Sequence, residues 1–362
     1  MAEAGSSRRE TKSDAARLLL AAARERFAVA ATDLLLPDQS RLSEWQRLTA
    51  ANLLSRLVRA IEDDLRARLA AHFTAHEALH AALSSANVPI ALPILERAQM
   101  LRDPELTVVL VRRVEEHRFW KAGAPAGEDW LFALVRDDDE AVAAEAMELV
   151  IARSRRFDRF LEPVMGQVEL PADLQHRLVW MVAAALRHYV VQQHRVGAVD
   201  AAVEEAASAV IAAYDEGDSL EARAMRLARL LHRTSRLDGA TLARIIADGV
   251  LPSFIAGLSV LCALGQDAVW EVLSDPRGRG PALLLRAADI ERDAAAAILL
   301  AFNARGPLLS GAEGDATAEQ LELYDTIDRP SAQEVLRLWQ ADPSYRACVA
   351  RLSTRARSAE AA

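Results

Sequence analysis

Along most of the chain apolar residues recur at spacings of three and four, in runs that open on Asp, Ser or Pro and stop at short polar turns. In the run from 43 to 72, Leu54, Leu57, Val58, Ile61 and Leu65 share one stripe, and Arg56, Arg59, Glu62, Asp63 and Arg66 lie off it. Ser43 and Gln46 form a capping-box pattern at its start. This predicts a long amphipathic helix, preceded by a first helix at about 13–35. Shorter helices are expected at 74–84, 89–101, 104–116, 129–136, 140–154 and 157–165, then at 171–195, 199–214 and 219–236. Breaks at Gly249, Gly265 and Pro276 to Pro281 divide the last third. Asp103-Pro104, Asp137 to Glu140, Pro171-Ala172-Asp173, Asp218-Ser219 and Asp342-Pro343 are the start signals. Valine and isoleucine do not alternate with polar residues, so no strand is expected. Connections of only a few residues force neighbours antiparallel. The predicted fold is all-α, an array of short antiparallel helix pairs: a HEAT-like α-solenoid or an irregular helical repeat domain.

A weak internal repeat supports the pairing. Asp103-Pro104 with Val108 matches Asp137-Asp138 with Val142, which resembles the aspartate cap and core valine of HEAT-type repeats. The arginine that often follows that valine is replaced by Val109 and Ala143. The expected organisation is a disordered tail at 1–12, a helical subdomain at 13–120, a central helical-repeat subdomain at 128–304, a flexible insert at 305–316, closing helices at 317–353 and a disordered tail at 354–362.

Composition sharpens this reading. Hydrophobic residues make up 52% of the 362, enough for a sizeable core, while aromatics are only 5% and alanine is abundant. Alanine favours helix and lets helices approach closely. The net charge of −9 disfavours bulk attraction to nucleic acid or anionic membranes. Cys262 and Cys348 are too few for a disulfide framework or a cysteine-rich metal cluster, which fits a reducing cytoplasm. The uncharged stretch from Gly249 to Gln266 approaches the length of a membrane span. Its Pro252, Gly257 and Gly265, and the lack of flanking basic anchors, read instead as a buried central helix.

Two stretches carry candidate chemistry. His76-Glu77-Ala78-Leu79-His80 has the H-E-x-x-H spacing that places two imidazoles on one helical face for zinc, with the glutamate as general base. Glu96 is the nearest carboxylate for a third ligand, and His72 could join the cluster. The competing reading is a Thr74–Glu77 capping box on an ordinary short helix. Arg223, Arg226, Arg229, Arg233 and Arg236 form a basic stripe that could grip an acidic partner, a phosphate or a nucleic-acid backbone, or could pair with Glu204, Glu205 and Glu221. His188 and His194 lack a phosphotransfer context, and Asp137 to Asp139 read as helix-start capping. Arg277-Gly278-Arg279-Gly280 is a turn that could also hold an anion at a helix start.

Two further stretches, Ala86 to Arg97 followed by Asp103-Pro104, and Leu261 to Asp275 continuing through Leu284 to Ile290, resemble a bacterial family, domain of unknown function 2336. The resemblance runs from near Leu48 to near Phe302 and implies an all-helical, repeat-like protein with no catalytic residues to transfer. The expected function is a cytoplasmic scaffold or regulatory adaptor that binds another protein, without cofactor and without a membrane span. The alternatives are a zinc-dependent hydrolase built on the histidine pair and a nucleic-acid binder built on the arginine stripe.

Overall fold

A computed structural model describes residues 42–352, apart from 86–87, 124–128, 158–161, 276–277, 307, 309–315, 343, 347 and 350–351. The helix expected at 13–35, both tails and residues 307 and 309–315 of the insert lie outside the described residues. Among those described, every regular element is helical and no strand occurs. The chain divides into two compact units that interleave in sequence. The first comprises Ser43–Val114 and Ala152–Ala222; the second comprises Glu115–Ile151 and the described residues from Arg223 onward.

The first unit is organised by α1 (Glu44–His72). Ser43 caps it as expected: Gln46 N donates to Ser43 Oγ at 3.2 Å, and Ser43 N donates back to Gln46 Oε1 at 2.8 Å. Its buried ridge of Leu53, Leu57, Ile61, Leu65 and Leu69 faces α2 (Glu77–Ser84), α3 (Ala91–Arg97), α7 (Ala172–His194) and α8 (Asp200–Ala212). α7 answers with Leu178, Val182, Leu186 and Val190 at helical spacing, and α8 with Val203, Ala206, Ala207 and Val210. Each fully buried leucine contributes about 1.5–3 kcal/mol relative to exposure, and the alanines let α7 and α8 approach closely.

Two residues placed off the α1 stripe by periodicity are among the most buried in the molecule. The Glu62 and Arg66 side chains are 0% and 3% exposed and pair at 2.9 Å. Burial of a charge is tolerated only where partners replace water, and here the backbone supplies them. Arg66 donates to the carbonyls of Ala82 (2.7 Å), Leu83 (2.9 Å), Ser85 and Val88 (3.1 Å), plugging the C-terminal end of α2. Glu62 accepts from Ile90 N and Ala91 N, both at 2.9 Å, at the start of α3. The cation therefore sits at a negative helix end and the anion at a positive one.

The second unit draws on the C-terminal part of α4 (Pro104–Lys121), α5 (Trp130–Val135) and most of α6 (Glu140–Arg156). With these belong α9 (Leu220–Arg233, from Arg223), α10 (Gly239–Ala247), α11 (Leu251–Cys262), α12 (Gln266–Leu273), α13 (Gly280–Ala287), α14 (Arg292–Asn303), α15 (Ala316–Thr326) and α16 (Arg329–Leu336). α10 packs on α14, α11 to α13 pack in succession, and α13 is covered by α15 and α16. Phe119, Phe254 and Phe302 meet in the core, with Phe302 5.2 Å from Phe119 and 6.5 Å from Phe254 between ring centroids. Residues Leu251 to Ser259 are buried without interruption, so the uncharged stretch forms a core helix. No single helix among the described residues is long and apolar enough to cross a membrane; α11 and α12 reach that composition only as a pair bent by 107°.

Arg305 repeats the plugging device in this unit. It donates to the carbonyls of Phe119 (3.1 Å) and Trp120 (3.4 Å) near the end of α4 and to that of Ala247 at the end of α10. Two glycines make room: a Cβ on Gly123 would lie 2.1 Å from the guanidinium and one on Gly249 2.3 Å, and Gly249 also holds φ at +75°.

Three expectations are corrected. Glu162 to Met165 of the helix expected at 157–165 form no helix; Pro163 interrupts them, and the Val164 carbonyl accepts from Arg113 Nε at 2.8 Å. The helix expected from Thr74 begins at Glu77, with His76 at its cap position and no side-chain cap bond, so the Thr74–Glu77 capping box does not form. In the repeat, Asp139 rather than Asp137 caps α6, through Ala141 N (3.0 Å) and Val142 N (3.3 Å), as Asp103 caps α4 through Glu105 N (2.9 Å) and Leu106 N (3.2 Å). The matching core positions are Leu106 and Val142, while Val108 is only half-buried.

Candidate functional site

In the first unit, α3 and α7 border an open groove. Its first lobe, about 520 Å³, is walled by Val88, Pro89, Ile90, Pro93 and Tyr189. Its second, about 450 Å³, is walled by Leu95, Met100, Ala184 and Ala185. Ile94, Arg97 and His188 line both lobes. The fold explains the shape. Pro89 and Pro93 lie on either side of the start of the short α3, and the small Ala184 and Ala185 of α7 leave space opposite it. Val88 and Met100 are 61% and 43% exposed, large apolar side chains left in solvent at the groove.

The groove wall is fixed from beneath. The Val88 carbonyl accepts from Arg66 and the Ile90 amide donates to Glu62, so the buried ion pair of α1 holds the segment that carries both side chains. Across the groove, the Tyr189 ring meets His194 edge-on at 5.4 Å between centroids, with the hydroxyl 3.4 Å from Nε2. Arg97 Nε donates to the Pro93 carbonyl at 3.0 Å, and among the described residues no carboxylate pairs with Arg97 or His188.

The histidine pair lies elsewhere in the same unit. His76 is exposed just ahead of the first helical residue, and His80 N donates to the His76 carbonyl at 2.8 Å. The His80 ring is engaged: Nδ1 is 3.0 Å from the Ala70 carbonyl. Glu96 is exposed on α3, and His72 Nε2 lies 3.8 Å from Glu205. Among the described residues no three His, Cys, Asp or Glu side chains form a group able to hold a metal ion.

The arginine stripe divides. Arg223 pairs with Glu148, Arg226 with Glu145 at 3.3 Å, and Arg236 with both oxygens of Asp137, one at 2.9 Å. The partners descend along the α6 segment as the arginines ascend, so the ladder joins two antiparallel stretches of the second unit. These partners differ from Glu204, Glu205 and Glu221, the ones suggested by proximity in sequence. Arg229 and Arg233 remain exposed. The Arg236 guanidinium holds the Asp137 carboxyl below its ordinary pKa.

A second charge cluster, built on the buried Arg113 and Arg156, occupies the first unit. Arg156 pairs with Glu221 at 2.5 Å and lies 3.5 Å from Glu169. Burial pushes the Glu169 carboxyl up, against the pull of Arg156 and Arg113. Burial also acts to raise Glu221, but Arg156 and Arg112 overcome it and hold that carboxyl below its ordinary value. Arg113 completes the cluster by donating to the Arg156 carbonyl at 2.7 Å and stacking 5.0 Å from the centre of the Phe157 ring. Every carboxylate here faces a guanidinium, an arrangement that seals helix ends. Cys262 of the second unit is half-buried with its Sγ toward the Leu284 carbonyl, and desolvation pushes the thiol up to about 12, which suppresses its thiolate.

The profile of one bacterial family, described as an uncharacterised protein conserved in bacteria (domain of unknown function 2336), matches residues 125–337, more than half of the chain. The chain belongs to that family. Neither the curated proteins nor the solved structures include a match. The family region takes in the Leu261 to Ile290 stretch on which the resemblance rested; the Ala86 to Arg97 stretch lies outside it. That second stretch is nevertheless the one that walls the groove, through Val88, Pro89, Ile90, Pro93, Ile94 and Arg97. In the sequence this stretch reads as packing with Glu96 as its candidate ligand, and His188 stands with His194 on a separate helix. The available signal was a proline-spaced apolar run ending in Arg97, and its pairing with α7 becomes visible only in three dimensions.

Proposed function

We propose that this protein is a protein-interaction scaffold or regulatory adaptor, with the α3–α7 groove as its docking surface. The observation that supports this reading is the groove itself: open, largely apolar, with Val88 and Met100 exposed at it and, among the described residues, no carboxylate on Arg97. Apolar anchors beside a few polar groups are the composition from which interface hot spots are made. A cytoplasmic setting fits the two unpaired cysteines.

The test is site-specific photocrosslinking in the native host, with the probe at Gln192 beside the groove and a control probe at the exposed Glu322. A discrete adduct of constant mass from the Gln192 probe, identified as one protein by mass spectrometry, is the expected result. Absence of any partner adduct from either position across growth conditions would remove the scaffold reading.

A further inference from the structure

We infer that the occupant of the α3–α7 groove is an amphipathic helical segment of a partner protein, with one acidic side chain seated between Arg97 and His188 and an apolar anchor in each lobe. This rests on the interaction reading above and gives the partner its chemistry. The first argument is charge. The chain carries 52 acidic residues against 43 basic and a net charge of −9, yet among the described residues no Asp or Glu lines either lobe. The groove is thus a basic and neutral island on an acidic protein. Complementary charge at such a place guides encounter and selects the partner. The second argument is position: Arg97 and His188 belong to both lobes, so a carboxylate held there would have apolar space on either side.

The third argument is the mode of entry. The walls are two helices, α3 and α7, and an apolar groove between helices accepts a third helix through residues at i, i+3 or i+4, and i+7. Apolar anchors at i and i+7 would enter the two lobes, and an acidic residue at i+4 would meet the arginine. Arginine suits this role because its planar fork can engage a carboxylate through two parallel hydrogen bonds. Ser85, Gln192 and Gln193 are neutral groups that tolerate varied side chains at the remaining positions.

The experiment is a displayed library of helical peptides, randomised at three positions of one face (i, i+4 and i+7), selected against the purified full-length protein and against its Arg97→Glu variant. Arg97 is exposed, and among the described residues the hydrogen bond of its side chain goes to the Pro93 carbonyl, so the substitution leaves the core untouched. The expected result is enrichment of Leu, Ile, Met or Phe at i and i+7 with Asp or Glu at i+4, and a switch to Lys or Arg at i+4 for Arg97→Glu. Fluorescence anisotropy on one enriched peptide should show affinity weakened by about tenfold or more in Arg97→Glu, a difference of about 1.4 kcal/mol, and recovered when the peptide glutamate becomes lysine. Binding should also be lost in Ile94→Asp.

Several outcomes would overturn the inference. They are no enrichment, enrichment without acidic preference, a preference unmoved by Arg97→Glu, and a groove filled instead by decanoate. Self-association of the protein abolished by Ile94→Asp would do the same, because it would assign the groove to a second copy. A crosslinked host partner whose complex survives both Arg97→Glu and Ile94→Asp would also remove this inference while leaving the scaffold reading intact.

Discussion

At the scale of the residue, the recurrent device is a buried guanidinium closing the C-terminal end of a helix. Arg66 does so for α2, Arg305 for α4 and α10, and Arg113 for α6 through the Arg156 carbonyl. The last carbonyls of a helix have no partner within it, and one arginine can satisfy several at once while its charge complements the helix dipole. This sets the Glu62–Arg66 pair apart from an isolated buried salt bridge. An isolated pair can often be replaced by apolar residues without loss. Here each charge also satisfies backbone groups, so Glu62→Met with Arg66→Met should leave two amides and several carbonyls unpaired, at about 1–3 kcal/mol for each buried group. Arg66→Met alone should lower stability by about 3–5 kcal/mol, and the double variant should regain none of it; urea denaturation of both would decide, and full recovery would contradict the account. Gly249→Ala should cost more than about 1 kcal/mol, since it combines a positive φ with a clash against Arg305; an unchanged thermal midpoint would show that the guanidinium can move aside.

At the scale of the element, the ladder between α6 and α9 shows what a conspicuous charge pattern came to mean. Five arginines at helical spacing advertise a binding surface, but Arg223, Arg226 and Arg236 meet Glu148, Glu145 and Asp137. A double-mutant cycle on Asp137→Asn and Arg236→Gln should give a coupling of about 0.2–1 kcal/mol, because the half-buried pair is still screened by solvent. The pH dependence has a definite sign. Asp137 titrates lower in the folded protein than its ordinary 3.8, so the pair contributes fully above that value and fades as pH falls through the lower folded one. Coupling that grew on acidification would rule this out. The helices themselves were largely legible from sequence: α1 has its predicted cap and ends at its predicted residue, and α7 matches within a residue at each end. Their boundaries follow from local chemistry, which a sequence carries openly. The groove and the buried ions were not legible, because they depend on which helices meet. Glu62 and Arg66 look like solvent-facing charges until α2 and α3 present their ends to them, and His188 looks like a lone surface histidine until Arg97 is set beside it.

At the scale of the whole molecule, sequence order and spatial order disagree. Glu115–Ile151 belong to the unit formed mainly from Arg223 onward, while Ala152–Ala222 belong with Ser43–Val114. The family region at 125–337 therefore contains α7 and α8 but lacks α1, against which both pack. A fragment limited to those residues should expose the apolar faces of Leu178, Val182, Leu186 and Val203, and should aggregate or bind a hydrophobic dye while the full chain does not; a monodisperse, dye-negative fragment would refute the assignment of α1 as their cover. The same interleaving bears on how the protein is made. A ribosome releases about 5–20 residues per second, and folding can begin before synthesis ends. The first unit can close as soon as residue 222 is free. Trp130, Leu131 and Val142 emerge earlier yet must wait for the later C-terminal helices, so the middle of the nascent chain is where a chaperone would find the longest-lived opening.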